Sequence, residues 1–446
     1  MAVSGGASAL LTLEQIMRDF TVASLPALVH RDIEPAMMER KADVFVGMRR
    51  SGKTYAMLEI IQRLRESGVE ADRIMYLNLD DDRLGRPDLG TLDTALETFF
   101  RIAPRARSEG GYLFLDEIQV VPEWERFCRR VVDTEVIHLF LGGSSSRLLS
   151  KEVATAFRGR GFTTEILPYG LREFIRASGH DPDDTVGSRQ RSTLASLADR
   201  YLAVGGFPEL VGASDFARVQ TLQGYVEMLV MKDVVERHGT ENVGALRALI
   251  RGLFAANASQ FSVSSFEGTL RSQGFRTTKV TLLSYLDHLA DAYLVFLVPI
   301  DSRSAKTRMV NPRKVYAIDP GLASAMHVGG ARNRGALLEN AVYLELRRRL
   351  GPMGETAIAY HRTPSGAEVD FVIDSPLPGK ERDFVQACVS LSDAAAIERE
   401  TKAIAEALAS APGATATIVT LAEAGELQTP AGVARIVPFW QWALES

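Results

Sequence analysis

Gly47-Met48-Arg49-Arg50-Ser51-Gly52-Lys53-Thr54 follows the apolar run Val44-Phe45-Val46. The spacing is G-x-x-x-x-G-K-[ST], and a buried strand before it with a helix after it is the context that makes such a stretch a phosphate-binding loop. Its glycines let successive backbone N–H groups turn toward a phosphate, Lys53 offers a positive charge to the β- and γ-phosphates, and the Thr54 hydroxyl is a ligand for Mg²⁺. A helix is predicted over residues 54–66, with its positive N-terminus aimed at the same anion. Gly47, Met48, Arg49, Arg50, Ser51, Gly52, Lys53, Thr54 and the adjoining Tyr55 are therefore the candidate nucleotide-binding residues.

The other half of such a site is an acid at the end of a buried strand, and Tyr112-Leu113-Phe114-Leu115-Asp116-Glu117 supplies it. Asp116 is placed to hold Mg²⁺ together with Thr54, and Glu117 to polarise an attacking water as general base. A kinase does not need that glutamate, whereas a hydrolase does.

Short apolar runs at residues 44–46, 74–79, 113–115, 136–141 and 163–167 alternate with helical segments. This alternation predicts an α/β fold, a parallel sheet covered by helices, whose ligands gather outside the carboxyl ends of the strands. The chain has 446 residues, too many for one core. We expect an N-terminal helical segment over residues 1–40, a P-loop core over 41–170, a helical lid or linker over 171–240, a winged-helix domain over 241–330 and a small α/β domain over 331–446. In the fourth of these, three helical stretches precede the apolar run Tyr293-Leu294-Val295-Phe296-Leu297-Val298, the order of a winged helix. The expected hairpin turn over residues 301–314 carries Arg303, Lys306, Arg308, Arg313 and Lys314 against Asp301. Such a basic wing suits DNA phosphates, although basic hairpins are also often only solvated.

A net charge of −5, with 46% hydrophobic and 24% charged residues, is that of a globular protein and argues against wholesale coating of nucleic acid or anionic membrane. Cys128 and Cys388 are the only cysteines, too few for a disulfide framework, and a reducing cytoplasm is expected. No basic residue precedes the apolar patch at the N-terminus, so no secretory signal is expected, and the longest apolar segment is too short to span a bilayer.

Several motifs in one order resemble the bacterial and archaeal AAA-type P-loop ATPases whose C-terminal domain of unknown function is similar to a restriction-endonuclease fold. They are the loop at 47–54, Asn78-Leu79-Asp80-Asp81-Asp82-Arg83-Leu84, Leu115-Asp116-Glu117-Ile118-Gln119, Gly143-Ser144-Ser145-Ser146-Arg147-Leu148-Leu149-Ser150, Ala156-Phe157-Arg158-Gly159-Arg160, Gly205-Gly206-Phe207-Pro208 and Gly366-Ala367-Glu368-Val369-Asp370-Phe371. The resemblance implies an ATP-hydrolysing core, a winged-helix middle and a nuclease-like end. It also implies a γ-phosphate sensor after the fourth strand, a role for Ser144 or Ser145. Arg158 and Arg160 are expected either to stabilise transition-state charge, within the chain or as a finger given to a neighbour in an oligomer, or to pair with an acid such as Glu152 or Glu165.

A metal-dependent nuclease of that fold needs a carboxylate on its first helix, an Asp on one strand and Glu-x-Lys on the next. Glu339 and Asp370 match the first two positions, but the third reads Gln386-Ala387-Cys388, which supplies neither the anionic ligand nor the lysine. Cleavage is therefore not expected unless a basic residue arrives from elsewhere, and Glu368 is expected to pair with Arg347 or Arg362, with help in binding a stray cation as the alternative. The function expected is Mg²⁺-dependent ATP hydrolysis coupled to domain rearrangement, with DNA as the expected partner. The alternative is a nucleotide-switched regulatory protein with slow hydrolysis, and an active nuclease stands behind both.

Overall fold

The computed structural model describes residues 2–143, 157, 159–327, 333–374, 379 and 381–445. It comprises two compact units, Met1–Ile166 and Leu167–Ser446.

The first unit is built on β1 (Ala42–Val46), β2 (Ile74–Asn78), β3 (Gly111–Asp116), β4 (Ile137–Gly142) and β5 (Gly161–Glu165). They form one sheet in the order β2-β3-β4-β1-β5, with every neighbouring pair parallel. This is the P-loop NTPase sheet expected from the alternating pattern. Parallel strands need crossover helices on the faces, which is why β1 is buried along its whole length. Phe114 and Phe140 stack with ring centroids 4.2 Å apart. With Phe45 they pack against Ala56, Met57, Ile60 and Ile61 of the helix Lys53–Glu66, a contact that fixes the start of that helix beside the end of β1. Burying each such side chain contributes about 1.5–3 kcal/mol.

The second unit opens with helices Leu171–Ala177, Ser188–Val204 and Asp215–Leu229, the last continuing into a π-helical stretch, Val230–Val235. Helices Val243–Ala255, Val263–Ser272 and Lys279–Asp291 follow, with a three-stranded sheet of β6 (Ser259–Phe261), β7 (Val295–Val298) and β8 (Arg313–Ala317) in the order β6-β8-β7. The segment expected to be a plain hairpin turn instead contains a short helix, Ala305–Val310, started by the Ser304 side chain accepting from the Thr307 N–H. The helix Arg334–Leu350 then leads to a six-stranded sheet of β9 (Ile358–Arg362), β10 (Glu368–Ile373), β11 (Asp383–Ala387), β12 (Thr415–Thr420), β13 (Gly425–Thr429) and β14 (Gly432–Pro438). Its order is β13-β14-β12-β11-β10-β9, and the helix Ala394–Ser410 crosses between the parallel strands β11 and β12. Val369, Val372, Phe384, Ile404 and Ile418 make its core.

The Gly205-Gly206-Phe207-Pro208 motif has a packing role. A Cβ on Gly205 would lie 2.0 Å from Asp319 Oδ1, and one on Gly206 would lie 2.1 Å from the Tyr169 carbonyl oxygen. The Gly206 N–H donates to Asp319 at 2.6 Å, and Asp319 also caps the helix Pro320–Met326 through the Leu322 N–H. Only a chain without side chains can pass so close to that buried carboxylate. No helix among the described residues is long and apolar enough to cross a membrane.

Candidate functional site

The carboxyl ends of β1, β3 and β4 gather one set of polar groups. Gly47 leaves β1 at φ 155°, where an added Cβ would meet the Ile166 carbonyl oxygen at 2.2 Å, so glycine is required on steric grounds alone. Arg50 and Gly52 are left-handed, which turns the loop back on itself and starts the helix at Lys53. Such a left-handed position is uncommon for a residue with a side chain and clusters at functional sites. The Lys53 ammonium donates to the carbonyls of Gly47 and Met48, both at 3.0 Å, and is thereby folded across the loop that its charge serves.

Asp116 ends β3, and the Thr54 hydroxyl donates to its Oδ2 at 2.6 Å. Thr54 is the residue after Lys53 on the helix, so strand end and helix start place a hydroxyl and a carboxylate side by side, the donor set a Mg²⁺ ion takes beside nucleotide phosphates. Two groups that the sequence did not point to complete the arrangement. The Tyr76 hydroxyl donates to the same Oδ2 at 3.0 Å, and burial, then Asp116, push its phenol well above its ordinary value, so it remains a donor. Arg31, buried in the segment before β1, donates to the Ser51 carbonyl at 3.3 Å and braces the loop. Only β-strand register could have hinted at Tyr76, since it lies on the strand next to β3, two residues before the register partner of Asp116; nothing local marks Arg31.

Glu117 follows Asp116 at φ 51°, and this left-handed turn carries its side chain away from the strand direction. Its N–H donates to Asp116 Oδ1 at 3.0 Å, and its carboxylate accepts from the Gln119 amide. Gly142 ends β4 against the same carboxylate: a Cβ there would lie 2.6 Å from Asp116 Oδ1 and 2.2 Å from Met57 Cε. The strand beside the acid must therefore lack a side chain.

Of the remaining expected residues, Ser144, Ser145 and Arg158 lie outside the described residues. Arg160 pairs with Asp133 at 2.7 Å, an acid the sequence did not point to, and Glu152 lies outside the described residues. Arg160 immediately precedes Gly161, the register partner of Ala42 at the start of β1. Gly47 lies at the other end of that strand, about 16 Å away at roughly 3.3 Å per residue. This corrects the expectation that Arg160 can serve its own loop, because no arginine side chain spans that distance.

Arg303, Lys306, Arg308 and Arg313 are exposed, while Lys314 is not. Lys314 is 2% exposed, and its ammonium lies 2.8 Å from each of Glu339, Glu368 and Asp370. A lysine so enclosed cannot meet a DNA phosphate, which removes it from the basic wing. The same contact adds Lys314 to the partners of Glu368, which also pairs with Arg362 at 4.0 Å as expected. Gln386 accepts from the Asp370 N–H at 3.0 Å, and Cys388 is buried in the sheet core.

Residues 39–175 match the AAA domain family, while residues 196–333 and 334–423 match two domains of unknown function, DUF8612 and DUF4143. An uncharacterized protein of Methanocaldococcus jannaschii is 32% identical over 438 residues, 97% of this chain and 94% of that one. An uncharacterized protein of Haemophilus influenzae is 28% identical over 309 residues, 69% of this chain and 74% of that one. Among solved structures, the Walker-type ATPase of Pyrococcus abyssi aligns with 68% of this chain and 99% of its own at 15% identity and a TM-score of 0.43. The ORC1 protein of Aeropyrum pernix, solved in complex with DNA, aligns with 72% and 91% at 14% identity and a TM-score of 0.29.

Proposed function

The chain belongs to one family with the Methanocaldococcus jannaschii protein, here an AAA domain joined to a DUF4143 domain, and from that premise we propose that it is a cytoplasmic, Mg²⁺-dependent ATP hydrolase. The observation that carries the reading is the 2.6 Å contact between Thr54 and Asp116 beside the Lys53 loop. A phosphate loop alone serves kinases and transporters equally well, but the loop with an Asp-Glu pair at the next strand end suits attack by water.

The roles follow from chemistry. Lys53 and the N–H groups of residues 47–54 bind the phosphates, Thr54 and Asp116 would hold Mg²⁺, and Glu117 orients the water and accepts its proton. Bound Mg²⁺ would supply charge neutralisation at the phosphates. Lys53 must exchange its two loop carbonyls for phosphate oxygens, and Glu117 must leave the Gln119 amide. Glu117→Gln is expected to leave ATP binding intact and to abolish steady-state phosphate release; unchanged release in that variant removes Glu117 as the base.

Hydrolysis in this reading drives rearrangement of the winged-helix and C-terminal modules, divided as 1–40, 41–170, 171–240, 241–330 and 331–446, in an oligomer working on or with DNA. Arg303, Lys306, Arg308 and Arg313 are its phosphate contacts. DNA should stimulate turnover at low salt and lose that effect steeply as salt rises; no stimulation at any ionic strength discards DNA as the partner. We assign no nuclease activity to the C-terminal domain, because Gln386 and Cys388 stand where an acid and a lysine are needed.

One observation favours a second reading, a nucleotide-controlled switch with slow turnover. Both Lys53 and Glu117 are engaged by the protein itself, so the site rests in an arrangement that must be undone before chemistry. That reading predicts retained nucleotide on the purified chain and less than one turnover during a standard assay.

A further inference from the structure

The cluster around Lys314 brings together residues that lie far apart in the chain. Lys314 is on β8, Glu339 on the helix Arg334–Leu350, and Glu368 and Asp370 on β10. An ammonium has three N–H donors, and one oxygen from each of the three carboxylates lies 2.8 Å from Nζ. Nζ donates hydrogen bonds to Glu339 and Asp370, and Glu368 lies at ion-pair distance. The carboxylates are also committed beyond the lysine. Glu339 accepts from the Tyr316 hydroxyl at 2.7 Å, Asp370 Oδ2 from the Ala387 N–H at 2.9 Å, and Glu368 from the Gln260 amide at 2.6 Å.

Carboxylates on one helix and one strand are the arrangement by which a nuclease-like domain would hold a divalent ion, and these residues do not fit that ion. Mg²⁺ or Ca²⁺ needs oxygens at about 2.0–2.6 Å around a shared centre, and here the shared centre holds a nitrogen. The next strand offers Gln386, a neutral side chain already accepting from the Asp370 N–H. Among the described residues no group of three or more His, Cys, Asp or Glu side chains is arranged to hold a metal. Nor does the lysine resemble a free catalytic amine, since it is buried and surrounded by three carboxylates.

We propose that the Lys314 ammonium is the resident cation of this cluster, occupying the position a divalent metal would otherwise take. The sequence lacks a lysine two residues after the third strand position, and the fold supplies one from β8, placed among the acids instead of beside them. The consequence is a site closed to metal, in which the positive charge is covalently part of the chain and fastens β8 to the helix Arg334–Leu350 and to β10. This inference is independent of the nucleotide site.

The test is Mn²⁺ binding to the full-length, nucleotide-free protein, followed by electron paramagnetic resonance and by thermal melting. Wild type should show no Mn²⁺ site that Asp370→Asn removes, and its melting temperature should not respond to Mn²⁺. Lys314→Ala should gain one Mn²⁺ per chain, lose it again when Asp370→Asn is added, and melt several degrees higher with Mn²⁺ than without. Should Lys314→Ala be recovered only as aggregate, refolding with and without Mn²⁺ makes the same comparison, and recovery that depends on Mn²⁺ supports the proposal. A wild-type Mn²⁺ site that Asp370→Asn abolishes overturns it, as does a Lys314→Ala chain that neither binds Mn²⁺ nor is stabilised or rescued by it.

Discussion

Asp116 in the first unit and Asp370 in the second are both buried acids on sheet strands, yet their neighbours give them opposite chemistry. Asp116 is held by neutral hydroxyls, Thr54 and Tyr76, so its charge is oriented and left uncompensated for an incoming cation. Asp370 shares one ammonium with Glu339 and Glu368, so its charge is already answered. Counting acids does not identify a cation site; the charge of the groups that bond to them decides it. A hydroxyl can yield an oxygen to a metal and remain a ligand, whereas an ammonium can only be displaced.

The largest effect should come from removing that internal answer. Lys314→Met leaves buried carboxylates without their cation, and breaking a buried pair from one side costs about 3–5 kcal/mol. Melting of the second unit should fall by roughly 10 °C, read by calorimetry. A loss below about 1 kcal/mol, the level of an exposed pair, erases the contrast between the two acids. At Asp116 the expected loss is kinetic. Asp116→Asn keeps the shape and removes the charge, and turnover at saturating ATP and Mg²⁺ should drop on the order of 10²–10³-fold. Gly142→Ala tests the same carboxylate by displacement, because the added Cβ falls 2.6 Å from Asp116 Oδ1. It should cost about 1–3 kcal/mol of stability, as overpacking does, and lower turnover with it.

The second cluster also predicts a pH dependence of its own. One ammonium cannot neutralise three carboxylates, and burial, then Asp370, push Glu339 up to about 8 against the pull of Lys314. The folded value lies above the unfolded value of 4.5. The contribution is therefore fully present below the unfolded value and is lost as pH rises through about 8. Between pH 7 and 9 the loss from this group is on the order of 1 kcal/mol. Melting temperature should fall across that window in wild type, and the slope should flatten in Glu339→Gln. An equal slope in both locates the titration elsewhere.

How much of this could be read from the chain follows the sequence separation of the interacting groups. The P-loop, the strands β1 to β5 and the Asp116-Glu117 pair were legible because each is a local pattern: an apolar run, then glycine or acid at its end. β12 to β14 went unread, since β13 is an exposed edge strand with no apolar alternation and gives no periodic signal. The helix Ala305–Val310 has no buried residue, so only the Ser304 cap marked it. Lys314 was misread because its neighbours along the chain are solvated arginines, while its partners lie 25 and 56 residues further on. Tyr76 and Arg31 were missed for the same reason, as they reach their partners across 40 and 20 residues.

Arg160 gives the smallest expected effect and the cleanest separation of two roles. Its pair with Asp133 is about 40% exposed on both sides, and such a pair contributes about 0.2–1 kcal/mol. Arg160→Ala should therefore barely change melting. Its position at the far end of β1 from Gly47 means that any catalytic duty has to be performed on a neighbouring chain. Turnover of Arg160→Ala should then equal wild type at dilutions where the protein is monomeric and fall behind it only where light scattering shows assembly. Mixing this variant with Glu117→Gln sharpens the point: a finger given to a neighbour restores turnover in the mixture, because intact Arg160 from one chain meets intact Glu117 of the other. A mixture no more active than its two components leaves Arg160 with its surface pair alone, and the first unit then completes its site without a second copy.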